Sequence, residues 1–344
     1  MKKYLINLTL ILGISGITMW LLIGKNPISE LGMRLTSLIP HWIMIGLICI
    51  MLYWGFETLI QMILVKRMCT GKHLWNSFKV VMTGHFFNAI TPFASGGQPM
   101  QAMIMVQQGV PIGVSASILL SKFIAYQMIL TIYSLVVLLL ELKFFMANVN
   151  ELIYLSLIGF TINLSVVILL ICIAIMKERV KRIGFLAINI LTKLHFIKHP
   201  IGMKKKLIRQ VDLFSDNIKQ IQGNIGLIFG IMGLTVLQLT AYFFIPFAVY
   251  RALGLSGTQV FLMISAAAFI LMISSFIPSP GGSGIAEGSF FIFFQLFFPE
   301  SILPVAILCW RIITFYVPLC CGAIMTLLPS YKNKKCILKT NMTT

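Results

Sequence analysis

Charge is scarce in this sequence. Nine acidic and 27 basic side chains make up only 10% of 344 residues, and 58% are hydrophobic. Soluble domains carry about a quarter charged residues, so a soluble fold is excluded and a polytopic membrane protein is implied. Long polar stretches are also lacking. Only roughly 177–224 is polar enough to stand outside a bilayer, which leaves no room for an attached soluble catalytic domain. No G-x-x-x-x-G-K-[ST] loop is present, so an ATP-driven P-loop machine is excluded. The seven cysteines (Cys49, Cys69, Cys172, Cys309, Cys320, Cys321 and Cys336) form no C-x-x-C pair and lie mostly in apolar runs. They read as small apolar residues of a helix bundle. His195 and His199 are four apart, but no acidic or sulfur ligand lies near them. No metal site and no cofactor are expected.

What is abundant is apolar sequence punctuated by cations. About 20 apolar residues cross a bilayer as a helix. On that ruler the spans fall at roughly 5–23, 42–65, 112–140, 152–176, 225–249, 258–277 and 302–328. The first follows Met1-Lys2-Lys3 and is too long for a typical signal-peptide core, so it reads as an uncleaved span. The net charge of +18 is concentrated in loops, as the positive-inside rule requires. It also favours anionic lipid head groups, and with no nucleic-acid motif in view it does not point to base reading. Lys2 and Lys3, then Lys66, Arg67, Lys72 and Lys79, then the cations of 177–219, then Lys332, Lys334, Lys335 and Lys339 all mark cytoplasmic segments. Both termini are therefore expected in the cytoplasm. The expected organisation is one membrane domain over 1–330, with 177–224 as a basic surface segment, and a basic tail over 331–344. Leu186, Ile190 and Leu194, then Leu207, Val211 and Phe214, recur at roughly helical spacing, which predicts one or two amphipathic helices on the inner surface.

Two apolar stretches, 78–107 and 278–299, are broken by proline and glycine and are too short on either side to cross alone. The orientation rule makes 78–107 start and end on the cytoplasmic side, whereas 258 to about 300 starts and ends outside. The predicted fold is thus all-α, with about seven spanning helices plus two oppositely oriented re-entrant hairpins, an inverted-repeat pattern. A faint internal match supports it: ITPFASGGQ (90–98) resembles IPSPGGSG (277–284).

The chemistry gathers at these breaks. Pro92, Pro99, Pro278 and Pro280 stop helices, and a broken helix presents N–H groups suited to an anion such as phosphate. Around the first break stand His85, Asn88, Thr91, Ser95, Gly96, Gly97, Gln98 and Gln101. Around the second stand Ser279, Gly281, Gly282, Ser283, Gly284 and Glu287. Such polar groups should face inward, because exposure to lipid is costly. Glu57, Lys122, Glu287 and Arg311 are ionisable residues within or beside spans. Arg311 and Lys122 each follow a break on the next span and are candidates to hold a phosphate, with Arg311 also pairing with Glu287. Lys122 has the alternative of snorkelling to the interface. Glu57 is a candidate for a cationic amine or for proton coupling, with pairing to Lys66 or a loop cation as the alternative. Gln127, Gln238, Tyr242 and Gln295 are weaker candidates, since a lone glutamine in a bundle more often bridges helices.

Three motifs in order, NAITPFASGGQPMQ (88–101), PSPGGSGIAEGSF (278–290) and WRIITFYVP (310–318), resemble the flippase-like membrane domain of the phosphatidylglycerol lysyltransferase, or multiple peptide resistance factor, family. The resemblance runs from about residue 5 to 330. It implies a bacterial protein that moves lysyl-phosphatidylglycerol to the outer leaflet and thereby repels cationic antimicrobial peptides. Full-length relatives also carry a transferase domain that moves lysine from lysyl-tRNA onto phosphatidylglycerol. No such domain follows here before Thr344, so translocation of an anionic or aminoacylated phospholipid is the expectation, rather than aminoacyl transfer. A transferase is the alternative, with Glu57 or Glu287 as base, His85 as its partner and lysyl-tRNA as the one nucleic acid implied. A scaffold docking through 177–224 would account for the basic loop but not for the breaks.

Overall fold

The computed structural model describes residues 35–69, 74–91, 94–148, 150–193, 200–274 and 285–331, and within them every regular element is helical. Pro40 opens α1 (Pro40–Met68) from its first turn, where its missing N–H costs nothing. Then come α2 (Leu74–Ala89), α3 (Gly97–Gln107), α4 (Ile112–Asn148), α5 (Asn150–Ile175), α6 (Lys177–Lys193) and α7 (Pro200–Gln222). Asn224 caps α8 (Ile225–Ala252), its Oδ1 accepting from the Leu227 amide at 2.7 Å. The chain continues through α9 (Val260–Ser274), α10 (Ile285–Phe294) and α11 (Leu303–Arg311). A π-helical turn (Ile312–Tyr316) joins α11 to α12 (Val317–Leu327) in one column.

Among the described residues four helical stretches are long and apolar enough to cross a membrane: Pro40–Arg67, Ile112–Glu141, Ile225–Ala252 and Leu303–Leu327. They coincide with four of the expected spans. The expected span at 152–176 is helical as α5, with a shorter apolar stretch at Ile158–Leu169. The expected span 5–23 lies outside the described residues. Of the expected span 258–277 the described part is helical as α9, 15 residues or about 22 Å of helix, and 275–277 lie outside the described residues.

α1 and α8 form the central antiparallel pair. The amide at the start of α1 (Ile39) donates to Ala252 O at the end of α8, 2.8 Å away. α2 and α3 fold back on each other as a helical hairpin. Gln108 at its foot donates to Asn76 O at 3.2 Å, and Gly97 at its tip abuts the Asn88 side chain. Midway, Gly84 leaves room for the buried Gln101; a β-carbon there would collide with it. Gln61 near the end of α1 donates to Met105 Sδ at 3.3 Å, which sets this foot at the C-terminal end of α1.

α9 and α10 form a second helical pair, stacked through Phe269 and Phe293 with centroids 6.0 Å apart. Its foot is at the other end of the central pair, because Phe298 just past α10 meets Tyr250 of α8 edge-on at 5.3 Å. The two helical pairs thus enter the assembly from opposite ends of α1.

The last column receives both. α2 runs antiparallel to α12: Asn76 Nδ2 donates to Tyr331 O at 3.4 Å, Lys79 Nζ donates to Leu328 O, and Gly322 packs on the Met82 carbonyl. The α2 tip residues Phe87 and Ile90 cluster with Phe315 and Leu319. From the other end, Phe290 of α10 packs on Trp310 at 4.8 Å. Both hairpins therefore converge on the π-helical middle of the column.

The polar segment holds two amphipathic helices, α6 and α7. Lys181 on α6 bridges to Asp212 on α7 at 3.2 Å, and Leu207 fills the space over Gly184. α7 in turn docks on the first turns of α4, where Gln210 Oε1 accepts from the Gly113 amide at 2.9 Å. Of the residues expected to share an apolar stripe, Val211 is buried while Leu186 is exposed; Leu194, with His195 and His199, lies outside the described residues. Cys49, Cys172, Cys309, Cys320 and Cys321 are free thiols. Cys69 is disulfide-bonded, which the reading of cysteines as apolar filler did not anticipate.

Candidate functional site

Two clusters of charge sit where the hairpins meet the central pair. In the first, Glu57 of α1 takes two partners from two other helices. Lys122 Nζ of α4 lies 3.0 Å from its Oε1, and His85 Nε2 of α2 lies 2.9 Å from its Oε2. All three side chains are partly exposed, at 12%, 12% and 19% for Glu57, Lys122 and His85. Helical spacing sets a tyrosine one turn from each charge: Tyr53 four before Glu57, Tyr126 four after Lys122. Tyr126 brings its hydroxyl to that of Tyr53, and the Tyr53 ring packs 5.7 Å from His85.

The second cluster is sealed. Arg311 Nη2 of α11 donates to Glu287 Oε2 of α10 at 2.6 Å, with side chains 6% and 2% exposed. The guanidinium also lies over the rings of Trp310 and Phe315, 5.3 and 5.2 Å from their centroids. A buried charge pair survives only when it is this well matched, and π-helical turns such as the one beginning after Arg311 recur at functional sites.

Tyr242 of α8 connects the clusters. Its ring centroid is 5.2 Å from that of Tyr53, it faces the charge of Arg311, and its hydroxyl lies near Thr314 of the π turn, whose own hydroxyl donates to Trp310 O at 2.8 Å. The result is a polar belt running Lys122, Glu57, His85, Tyr53, Tyr242, Arg311, Glu287.

The expected Arg311–Glu287 pair is present. Lys122 is turned inward onto Glu57 rather than snorkelling. Glu57 pairs with Lys122 and His85, and not with Lys66, which is exposed at the end of α1. The residues of the first break serve the turn itself. Thr91 Oγ1 donates to Phe87 O at 2.6 Å and accepts from the Gly96 amide at 2.8 Å. Asn88 Oδ1 is buried against Gly97. Gln101 is buried inside the hairpin, while Ser95 and Gln98 are exposed. Ser279, Gly281, Gly282, Ser283 and Gly284 lie outside the described residues. Among the weaker candidates, Gln127 bridges helices as expected, donating to Asn163 Oδ1 at 3.0 Å; Gln295 is exposed.

Sequence reasoning did not find Tyr53, Tyr126 or Thr314, and named His85 as a partner of Glu57 or Glu287 only within the transferase alternative. The tyrosines were detectable as polar groups one helical turn from a charge. The His85–Glu57 contact joins residues 28 apart and had no local signal.

Comparison with known proteins agrees with this architecture. A family model described as "Lysylphosphatidylglycerol synthase TM region" matches residues 8–322, which includes every residue of the belt. A UPF0104 membrane protein of Archaeoglobus fulgidus is 28% identical over 259 residues, covering 73% of this chain and 75% of the relative.

Proposed function

The chain belongs to the lysylphosphatidylglycerol synthase transmembrane-region family, and on that premise we propose that it is a lipid translocase of flippase or scramblase type. The observation that carries this reading is the convergence of two helical hairpins, entering from opposite ends, on a belt of ion-paired side chains. Intramembrane ionisable groups mark substrate paths by default, and broken helices from inverted halves are the usual frame of such paths. In this reading the hairpins are re-entrant, and the belt holds a phospholipid head group near the bilayer midplane. Arg311 and Lys122 face its phosphate, Glu287 and Glu57 orient those cations, and the first-break residues Asn88, Thr91, Ser95, Gly96, Gly97, Gln98 and Gln101 line the approach. Phosphatidylglycerol or its lysyl derivative is the substrate class. The protein sits in the cell membrane with both termini in the cytoplasm. α6 and α7 lie on the inner leaflet, where exposed Ile183, Leu186 and Ile201 stand among Arg182, Lys205 and Lys206.

The test is reconstitution of the purified protein with labelled phosphatidylglycerol and its lysyl derivative, reading exposure in each leaflet with and without an imposed potential. Transport is expected for wild type and lost in Arg311→Ala. Undiminished transport by stably folded Arg311→Ala would remove Arg311 from the site.

A transferase is the second reading, favoured by one observation: the His85–Glu57 contact is a possible acid–base pair. Formation of lysyl-phosphatidylglycerol by the purified protein from lysyl-tRNA and phosphatidylglycerol would establish it.

A further inference from the structure

We infer that the protein moves a proton together with its anionic lipid, and that His85 is the residue that carries it. The inference rests on the translocase reading and adds the coupling ion to it.

The argument begins with the charges of the belt. Among the described residues it holds two carboxylates, Glu57 and Glu287, and two permanent cations, Lys122 and Arg311, each paired with a carboxylate. The neighbouring stretch 275–284 has no ionisable side chain. With His85 neutral, the belt sums to zero. An anionic head group brought from water into such a belt meets no net attraction to offset its desolvation. Among the described residues of the belt, His85 is the imidazole, a ring that can take up a second proton and become a cation while still donating to Glu57. Its protonation gives the belt the single positive charge that an anion needs.

The geometry lets that charge act. His85 and Lys122 hold separate oxygens of the same carboxylate, at 2.9 and 3.0 Å. A protonated His85 satisfies Glu57 by itself and leaves the Lys122 ammonium available to a phosphate oxygen. Proton and lipid then favour each other's binding, and linkage makes that help mutual. His85 also lies on the arm of the first hairpin, one turn before Asn88, so its charge bears on the element that must move. Its side chain is 19% exposed, against 2% for Glu287, so a proton has a way in at the first cluster that the second does not offer.

The ionisable groups that face His85 come from the elements packed around it. α1 presents Glu57 and Tyr53, and α4 presents Lys122 and Tyr126. α3 has no ionisable side chain, and α12 has only Cys320 and Cys321. On α2 itself Lys79 is buried at the foot, bound to Leu328 O.

The consequence is a distinctive energetics. A lipid of charge minus one that travels with a proton carries no net charge, so a pH gradient drives it and a membrane potential does not. Proteoliposomes containing fluorescent phosphatidylglycerol would be given either a pH gradient or a potassium–valinomycin potential, with leaflet exposure read by dithionite quenching. Wild type is expected to accumulate lipid along the pH gradient and to ignore the potential. His85→Gln, which keeps a donor for Glu57, is expected to lose the response to pH and to become sensitive to potential. Transport by wild type that follows the potential alone overturns the proton inference and leaves the translocase reading standing.

A second measurement decides the inference if no lipid moves under either gradient, the outcome that defeats the translocase reading. Short-chain phosphatidylglycerol would be added to detergent-solubilised protein in weak buffer at pH 7 with a pH-indicator dye. Uptake of a proton with each bound lipid, absent in His85→Gln, supports linkage at His85. Lipid binding without uptake, or no binding at all, overturns it.

Discussion

Glu57 and Glu287 are both carboxylates held between helices, yet their settings differ. Glu57 divides its two oxygens between a lysine and a histidine from two other helices, with all three side chains partly exposed. Glu287 meets an arginine, and both are sealed beneath Phe290, Trp310 and Phe315. A strong base in a closed, bidentate-capable pair keeps its charge under all conditions. A histidine in an open one is within reach of solvent and can exchange a proton. The difference suggests a division of labour in which the second cluster is a permanent anchor and the first is adjustable.

Removing Arg311 tests the anchor most severely. Arg311→Ala leaves Glu287 buried without its partner, a change that costs about 3–5 kcal/mol, so a large fall in thermal midpoint in detergent is expected together with loss of transport. The double replacement Arg311→Met, Glu287→Leu sharpens the test. Apolar residues of similar volume commonly restore the stability lost when such a pair is broken. The double variant should therefore fold well and still fail to move lipid. Recovery of transport along with stability would make the pair purely structural.

The open cluster should respond more mildly. Glu57→Gln leaves Lys122 and His85 with an amide oxygen to share, and partial exposure lets water help. A stability loss of about 1–3 kcal/mol is expected, smaller than at Arg311, with a flattened dependence of transport on pH. A larger loss at Glu57 than at Arg311, measured side by side, would reverse the ranking and dissolve the distinction between anchor and adjustable site.

Packing offers a third comparison, between glycines that touch and glycines that do not. A β-carbon on Gly322 would stand 2.6 Å from the backbone carbonyl of Met82, where α12 meets the first hairpin, whereas one on Gly55 meets nothing within 4 Å. Gly322→Ala should cost about 1–3 kcal/mol through overpacking, and Gly55→Ala should be close to neutral. Equal midpoints for the two would mean that α2 and α12 are not held this closely together.

How much of this was legible in the sequence follows the physics of each feature. Length and hydropathy located the spans around α1, α4, α8 and the last column, because burial in lipid imposes its own scale. Proline and glycine marked the first hairpin, and the ionisable residues in apolar surroundings marked Glu57, Lys122, Glu287 and Arg311 as members of the belt. Arg311 and Glu287 are opposite charges in apolar surroundings on adjoining elements, so their pairing was open to inference. The partner of Glu57 was not, because Lys66 and Lys122 are equally good partners until α4 is packed against α1. The hydroxyl, amide and glycine groups of the first break drew notice as ligand-like, but Thr91, Gly96, Gly97 and Gln101 first satisfy the demands of the turn and hairpin that present them. Polar residues at a broken helix answer to the backbone before they answer to a ligand.

The smallest effect belongs to the charges outside the belt. Lys181 on α6 lies 3.2 Å from Asp212 on α7 and 3.2 Å from Glu178. The close carboxylate of Asp212, aided by Glu178, raises its pKa above the ordinary lysine value. A raised pKa means that the contribution of the pair is complete below the unfolded lysine range and is lost as pH rises through the folded value. It should therefore be constant through neutral pH and disappear only in strong alkali. Exposed pairs of this kind are weak and screened by salt. Lys181→Ala is expected to leave the thermal midpoint and transport at pH 7 almost unchanged, with any difference vanishing at high salt. A transport defect as large as that of Glu57→Gln would mean that the α6–α7 pair, far from lying passively on the membrane surface, transmits force to α4 through its docking at Gly113.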